Sequence, residues 1–376
     1  MKAMNPAGAS GAATSIYAIN AANPAIGTKT ACVTGTACAA GTVATRNIAA
    51  GGPLLSVKNL KTYFASVGTP LKAVDGISFD VFRGETLGIV GESGCGKTVA
   101  CLSILRLLQE PPAIYAGGEI LFDGRDILKM RAQMLAELRG SRISMIFQEP
   151  MAALNPVFTI ENQMVETVRR HLPLSKREAS ALSLAQLKRV RIPSAEAVMR
   201  AYPFALSGGM RQRVLISMAM ICKPDLLIAD EPTTALDVTI QARILEIMKQ
   251  QKQETGCAVI FITHDIGVIA ETADRTMVMY AGKVCELAPT EELIRSPAHP
   301  YAQGLIASKP SGKPTAGNRL KVIPGNVPSL ADKPAGCPFH PRCEYAETLC
   351  ANQFPPMVEK TPGHSVACWR CHGEGE

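Results

Sequence analysis

Short runs of apolar residues alternate with amphipathic segments through the middle of the chain. The runs TLGIV (86–90), DLLIAD (225–230) and AVIFITH (258–264) are continuously apolar but too short for typical helices, which favours strands buried on both faces. The segments that follow two of them, 98–108 and 238–253, have helical character. Buried strands that alternate with helices predict an α/β fold with a mostly parallel sheet covered on both sides.

The remaining pattern adds elements on both sides of this core. An apolar strand is predicted at 54–60, further strands between 73 and 90, and a strand pair at 276–287. The region from about 110 to 205 is polar and mixed, and within it we predict a strand at 143–147 and a helix at 175–192. We find no internal repeat.

The pattern also divides the chain into three parts. Residues 1–53 are rich in Ala, Gly, Asn and Thr without apolar periodicity, so we expect a disordered extension there. Residues 54–290 form the ordered body, and residues 291–376 form a proline-punctuated tail that contains a cysteine cluster. Because no apolar h-region follows the basic start, we do not expect a secretory signal.

Composition narrows the classes of protein. Of the 376 residues, 47% are apolar and 19% are charged, which is typical of globular chains. The formal net charge of +7 includes Lys2, Lys29 and Arg46 of the N-terminal extension, so the body is only mildly basic and we expect no nucleic-acid partner. No apolar run is long enough to cross a bilayer, and we therefore expect no membrane span.

The segment GESGCGKT fits the phosphate-loop pattern GxxxxGK(S/T), with a buried strand before it and a helix after it. Glycines allow backbone N–H groups to converge on phosphate oxygens, the lysine reaches the terminal phosphates, and the threonine hydroxyl can bind Mg²⁺. We therefore predict an ATP-binding loop made of Gly91, Glu92, Ser93, Gly94, Cys95, Gly96, Lys97 and Thr98.

Cys95 is the unusual residue of this loop. We interpret it as a small tolerated side chain, although Lys97 and the helix N-terminus are positioned to lower the pKa of its thiol. A thiol reagent is then expected to inactivate the protein, and ATP to protect it.

Polar residues follow the next two buried strands. In LLIADEP, Asp230 is placed to hold Mg²⁺ and Glu231 to act as general base on an attacking water. His264 ends the strand after that, beside the expected γ-phosphate. In LSGGMRQR, Ser207, Gly208 and Gly209 open a second helix N-terminus. One nucleotide cannot easily use both anion sites unless two subunits meet.

These motifs, in this order, resemble the ATP-binding cassette of ABC transporters across residues 54–290. The resemblance implies a P-loop ABC ATPase core with an antiparallel β subdomain and an inserted α-helical subdomain at about 151–206, followed by a Cys-rich C-terminal extension. It also implies that residues 206–210 form the signature that binds ATP held by an opposite subunit.

The same resemblance assigns roles to single residues. Phe64, or with less support Tyr63, stacks on adenine. Gln148 senses Mg²⁺ and the attacking water, so that Thr98, Gln148 and Asp230 are the expected Mg²⁺ ligands. The catalytic residues are then Glu231, His264 and Gln148, and Asp237 is the D-loop residue.

Four further segments resemble the ATPase subunits of dipeptide, oligopeptide and nickel importers: FQEPMAALNP, YPFALSGGMRQRV, SPAHPYAQGLIAS and IPGNVPSL followed by GCPFHPRC. That resemblance implies a dipeptide or oligopeptide importer ATPase, with nickel or another small solute as the alternative. The implied partners are two integral membrane permeases, a second homologous ATPase subunit that makes a heterodimer, and an extracytoplasmic solute-binding protein. The implied location is peripheral, on the cytoplasmic face of the inner membrane.

Soluble ABC ATPases are the less favoured alternative. Members that act in DNA repair need a long coiled coil between phosphate loop and signature, and the stretch between Lys97 and Ser207 is too short for one. Members that act in translation usually have two cassettes, whereas this chain has one.

The cysteines of the tail suggest a metal, because ATP chemistry places the chain in a reducing compartment. The peptide-importer resemblance implies a 4Fe-4S cluster bound by Cys337, Cys343, Cys350 and Cys368. A zinc ion is the alternative, with Cys371, His340 or His364 as further donors. Buried cysteines that act as small apolar residues are the third interpretation.

Overall fold

A computed structural model of the chain describes residues 52–308, apart from 235–236, and residues 323–372. The disordered extension predicted at residues 1–53 falls almost wholly outside the described residues.

An antiparallel sheet opens the described chain. Its strand order is β2-β1-β4-β5, with β1 at Leu55–Phe64, β2 at Leu71–Val81, β4 at Ala113–Phe122 and β5 at Arg125–Asp126. The long strand β4 was missed within the mixed region, because its burial alternates too weakly to give a clear period of two.

The main sheet has the order β11-β12-β10-β9-β3-β8-β7-β6 and is parallel from β9 through β6. Every residue of β3, β7 and β8 is buried, which confirms the strands predicted from continuous apolar runs. The strands are β3 Thr86–Val90, β6 Ile143–Ile146, β7 Leu226–Asp230, β8 Ala258–Thr263, β9 Arg275–Tyr280, β10 Lys283–Pro289, β11 Val358–Thr361 and β12 His364–Val366.

Helices cover this sheet and form an insert after β6. Those in the body are α1 Lys97–Ile104, α2 Ala132–Leu138, α3 Pro150–Ala153, α4 Ile160–His171, α5 Lys176–Arg189, α6 Ala195–Arg200, α7 Gly208–Met220, α8 Val238–Thr255 and α9 Ile266–Thr272. Those in the tail are α10 Thr290–Arg295, α11 Pro300–Ala307 and α12 Thr348–Asn352.

The helices of the insert begin at side-chain caps. Thr159 caps α4, and Ser175 and Glu178 form a capping box at the start of α5. The predicted helix at 175–192 is thereby confirmed, whereas α4 and α6 had been expected only as unspecified parts of the helical insert at about 151–206.

The tail joins the main sheet instead of packing as a separate layer. Strand β12 pairs antiparallel with β10 through Glu286 and Val366. The Glu286 carboxylate is fully buried and accepts hydrogen bonds from the N–H groups of Ala298 and His299, both at 2.8 Å, and lies 2.7 Å from His364 Nε2. The tail is therefore fixed to the edge of the main sheet by buried polar bonds.

The two largest apolar cores of the described residues lie one on each face of the main sheet, and a small third cluster in the tail contains Ala298, Val366 and Cys368. One lies between the antiparallel sheet, α1 and the main sheet. The other joins the helical insert, α7 and α8 to the tail, and it includes Tyr301 and Phe339. Within the described part of the chain, no helix is both long enough and apolar enough to cross a membrane.

Candidate functional site

The phosphate loop, residues 91–98, connects β3 to the start of α1. A Cβ on Gly91 would lie 2.2 Å from the carbonyl oxygen of Met279, and one on Gly96 would lie 2.6 Å from that of Ala73. Gly96, the N-cap of α1, also has a φ of 99°. Both positions therefore require glycine, and the resulting tight path at a helix N-terminus is the geometry that binds phosphate through backbone N–H groups.

Lys97 is held inside the loop. Its Nζ donates to the carbonyl oxygens of Gly91 at 2.7 Å and Glu92 at 3.1 Å, and the side chain is buried. Ser93 and Gly94 are exposed at the tip of the loop. The lysine thus places a buried positive charge within the loop, a position suited to binding an anion such as phosphate.

Cys95 corrects one expectation. Its Sγ lies 3.7 Å from Lys97 Nζ, but the thiol is fully buried, and burial raises the pKa of Cys95 more than the ammonium lowers it. The predicted lowering of this pKa is therefore wrong. Because the thiolate is the reactive form, Cys95 is a packing residue with little reactivity in this conformation.

Asp230 and Thr98 form a candidate Mg²⁺ site beside the loop. Asp230 ends β7 and is 2% exposed, and its Oδ1 has no hydrogen-bond partner among the described residues. Burial raises the pKa of Asp230 to about 6, although a hydrogen bond with the Thr98 side chain opposes that shift. A buried carboxylate oxygen without a partner, next to a threonine hydroxyl, is an oxygen donor set that fits Mg²⁺.

Three side chains converge on one oxygen of Glu231. Its Oε2 accepts hydrogen bonds from Gln148 Nε2 at 3.1 Å and Thr234 Oγ1 at 2.8 Å, and lies 3.5 Å from His264 Nδ1. Glu231 itself is buried and has a φ of 46°, in the left-handed region. The structure therefore brings the three predicted catalytic residues together at the edge of the sheet that holds Asp230.

Thr234 was missed by the sequence analysis. A hydroxyl three residues after the glutamate in ADEPTT is the available signal. Since a neutral hydroxyl donates to the carboxylate, Thr234 helps to fix its orientation without adding charge.

The signature segment begins α7. Ser207 is the N-cap of this helix, and Ser207 and Gly208 are exposed. Gly209 is buried, and a Cβ there would lie 3.0 Å from Ile240 Cγ2 of α8. Asp237 caps α8 by accepting from Ile240 N at 2.9 Å. The chain thus presents a second glycine-initiated helix N-terminus at its surface.

The two aromatic residues at the end of β1 differ in their bonding. Tyr63 Oη donates to Asp75 Oδ1 at 2.7 Å, and burial raises the pKa of Tyr63 to about 12. Phe64 is the half-buried final residue of the strand. Because Tyr63 is engaged in a structural hydrogen bond, Phe64 remains the better candidate for stacking on adenine.

The four cysteines predicted as cluster ligands line one cavity in the tail, which is also lined by His299, Phe339 and His340. Gly336 allows the close approach of two cysteine segments, because a Cβ there would lie 2.2 Å from the carbonyl oxygen of Cys350. At the same point, Cys337 N donates to Cys350 O at 2.8 Å.

Backbone N–H groups point at three of these sulfurs. The thiols of Cys337, Cys343 and Cys368 accept hydrogen bonds from the N–H groups of Phe339, Tyr345 and Arg370, each two residues further along the chain. Burial raises the pKa of Cys337 to about 11 and that of Cys368 to about 12. In the described residues, no group of three or more His, Cys, Asp or Glu side chains is arranged to hold a metal ion.

Three features of this fold occur together in ATP-binding cassettes. They are an antiparallel sheet beside a mostly parallel main sheet, a phosphate loop after a central strand of the main sheet, and a helical insert that leads into a glycine-initiated helix. The chain is an ATPase of this ABC class. The ABC transporter family profile matches residues 74–234, and the profile of the oligopeptide/dipeptide transporter C-terminal region matches residues 285–350.

Curated relatives are similar over most of the chain. A probable peptide ABC transporter ATP-binding protein of Sinorhizobium fredii is 49% identical over 84% of this chain and 95% of its own length. The dipeptide transport ATP-binding protein DppD of Bacillus subtilis is 46% identical over 84% of this chain and 94% of its own. This chain belongs to the family of peptide ABC transporter ATP-binding proteins.

Solved cassettes share the fold of the body. The dimeric cassette MJ0796, described in a post-hydrolysis state bound to ADP and Pi, is 25% identical with a TM-score of 0.57, over 63% of this chain and 98% of that one. CbiO1 of Clostridium perfringens, part of an ABC transporter complex, is 27% identical with a TM-score of 0.55, over 65% of this chain and 91% of that one.

Proposed function

We propose that this chain hydrolyses ATP to drive the import of dipeptides or oligopeptides. The observation that carries the proposal is the convergence of Gln148, Thr234 and His264 on the Glu231 carboxylate, next to the buried Asp230. The relatives named for peptide and dipeptide transport supply the solute class. Nickel or another small solute is the alternative.

Each residue of the site has a separate role in this mechanism. Backbone N–H groups of the phosphate loop other than that of Glu92, together with the Lys97 ammonium, bind the phosphates, and Phe64 stacks on adenine. Glu231 takes the proton of the attacking water, which Gln148 and His264 orient near the γ-phosphate. Thr98, Asp230 and Gln148 would hold Mg²⁺, which neutralises charge on the phosphates when it is bound.

Hydrolysis in this proposal requires two chains. The exposed Ser207 and Gly208 at the start of α7 provide an anion site for ATP held by the opposite subunit. Asp237, exposed at the start of α8, would face the partner across that junction. We propose a heterodimer with a second homologous ATPase subunit, in which nucleotide favours the closed pair.

The helical insert is the proposed docking surface for the two permeases. Val157, Phe158, Tyr202 and Phe204 are exposed apolar side chains on it, with exposed fractions of 70%, 49%, 42% and 66%. The two segments are adjacent, because Ile160 N donates to Ala201 O at 3.0 Å. An exposed apolar patch of this kind indicates a protein interface, and the chain would then be peripheral on the cytoplasmic face of the inner membrane. An extracytoplasmic solute-binding protein completes the proposed importer.

We further propose that Cys337, Cys343, Cys350 and Cys368 hold a 4Fe-4S cluster. A zinc ion needs all its donor atoms at 2.0–2.3 Å from one point, whereas a four-iron cluster takes one thiolate on each iron of a larger body. The four thiols that line one cavity match in number the four thiolates that such a cluster needs. The N–H groups aimed at three sulfurs also suit thiolates, whose charge a cluster would balance.

Transport and hydrolysis are tested together in the assembled importer. E231Q keeps the size of the side chain, so we expect ATP binding to persist and turnover to fall at least 100-fold, the lower limit for loss of a general base. Uptake of labelled dipeptides, longer peptides and nickel by the wild-type complex then identifies the solute. Normal hydrolysis by E231Q would disprove the assigned base, and failure to co-purify with permeases would disprove the transport role.

The cluster is tested on protein purified without oxygen. We expect about four irons for each chain and the brown colour of a thiolate-bound iron-sulfur cluster. C350S should lose the iron, whereas C222S, which changes a cysteine outside the cavity, should keep it. Colourless protein with stoichiometric zinc would contradict the proposal.

A further inference from the structure

The tail contacts the phosphate loop directly. The Glu92 carboxylate, in the second position of the loop, pairs with the Arg342 guanidinium through two bonds, Nη1 to Oε2 at 2.6 Å and Nη2 to Oε1 at 3.0 Å. The Arg342 side chain is 6% exposed and that of Glu92 is 27% exposed. Parallel bonds of this type fix the relative position of both groups more strictly than a single contact.

Arg342 is itself held in place from several sides. Its Nε donates to Pro324 O at 2.7 Å, its Nη1 donates to Tyr280 Oη at 3.1 Å, and the guanidinium lies over the rings of Tyr280 and Phe339. The hydrogen bonds with Glu92 raise the pKa of Arg342 above the ordinary value of an arginine. A planar, permanently charged fork with this many fixed partners is a rigid support.

The backbone of the same loop residue is bound by the tail as well. Glu92 N donates to Tyr301 Oη at 2.8 Å, and Tyr301 belongs to α11. Tyr301, Tyr280 and Phe339 pack edge to face or tilted, with ring centroids 4.7–5.3 Å apart. The loop residue is thereby attached to a buried aromatic cluster through both its side chain and its main chain.

We infer that Arg342 is a positioning residue for ATP binding, which holds Glu92 turned away from the nucleotide and neutralises its charge. The inference rests on the proposed ATP site. A free carboxylate in the phosphate loop would repel the nucleotide's phosphates, since like charges in a partly buried site are poorly screened. Neutralisation by Arg342 removes that repulsion, and the aromatic cluster fixes the direction of the Glu92 side chain.

The test measures Kd for a fluorescent ADP analogue on the full chain, and KM for ATP in the assembled importer. For R342M we expect Kd and KM to rise on the order of tenfold, by analogy with the loss of a supporting partner behind a metal ligand, with kcat changed much less. In the R342M background, E92Q removes the uncompensated charge, so E92Q/R342M should recover to within about threefold of wild type. A purely structural role for Arg342 would not give this rescue.

The controls separate this inference from the site assignment. Arg295 and Glu291 form an exposed Arg–Glu pair on α10, and R295M and E291Q should leave Kd and KM unchanged. K97M should abolish binding, and normal binding by K97M would instead overturn the proposed ATP site. If K97M loses binding while R342M stays within threefold of wild type, or if E92Q does not rescue R342M, the positioning role is wrong. R342Q, which is also uncharged, replaces R342M if that variant does not fold.

Discussion

Asp230 is expected to destabilise the nucleotide-free protein through its charge. Burial raises the pKa of this carboxyl from 3.8 to about 6, so the folded state binds the proton more tightly than the unfolded state. Protonated Asp230 therefore contributes to the free energy of unfolding in full below pH 3.8, and this contribution is lost as pH rises through about 6. The shift of about two units amounts to about 3 kcal/mol of lost stability at pH 7.5.

Replacing the charge with an isosteric amide should recover that free energy. We expect D230N to be about 3 kcal/mol more stable than wild type at pH 7.5 without Mg²⁺ or nucleotide, and the advantage should fall to about half at pH 5. Urea unfolding followed by circular dichroism at both pH values measures the difference. D332N, at an exposed aspartate of the tail, controls for the loss of one negative charge.

Mg²⁺ with ATP should reverse the order of stability of wild type and D230N. A bound cation compensates the Asp230 charge in wild type but has lost a ligand in D230N, so added Mg²⁺-ATP should stabilise wild type more than the variant. The reasoning is refuted if D230N is no more stable than wild type at pH 7.5, or if its advantage is the same at pH 5.

Three further changes probe packing and reactivity. G336A places a Cβ 2.2 Å from the carbonyl oxygen of Cys350, so we expect about 3 kcal/mol lower stability in urea unfolding. The control G117A, whose Cβ has its nearest neighbour at 3.8 Å, should leave stability unchanged. Equal unfolding midpoints for the two variants would contradict the close approach at Gly336. E286Q places an amide N–H group against a backbone N–H group that now donates to the carboxylate. We expect the free energy of unfolding to fall by about 3 kcal/mol and protease cleavage of the tail to become faster. An unchanged cleavage rate would show that this cluster does not fix the tail. Cys95 should be alkylated by iodoacetamide much more slowly in the native chain than in urea, as followed by peptide mass spectrometry, and similar rates would show that its burial is not maintained.

The body of the fold was predictable because its strands are buried on both faces. Continuous apolar runs such as TLGIV and DLLIAD can form little else between turns, and the structure confirms them as β3 and β7. Strand β4 was missed because exposed and buried residues alternate irregularly along it. The short tail strands β11 and β12 were missed because three or four residues show no period, and only pairing with β10 defines them.

The site was predictable wherever chemistry is encoded in consecutive residues. Glycines with a lysine and threonine specify the loop, and paired acids after a buried strand specify Asp230 and Glu231. Arg342 lies 250 residues from Glu92 along the chain, and no local pattern links them. The predicted direction of the Cys95 pKa shift was wrong because the sequence shows the neighbouring Lys97 but not the burial of the thiol.

Residues of the tail complete the ATPase body of this chain. Residues after 290 supply β12 at the free edge of β10, Tyr301 at the Glu92 N–H group, and Arg342 at the Glu92 carboxylate. A chain ending at residue 290 would leave that strand edge unpaired and the loop carboxylate without its cation. The C-terminal region therefore contacts the phosphate loop directly, and Arg342, which makes that contact, directly precedes Cys343 of the cysteine cavity.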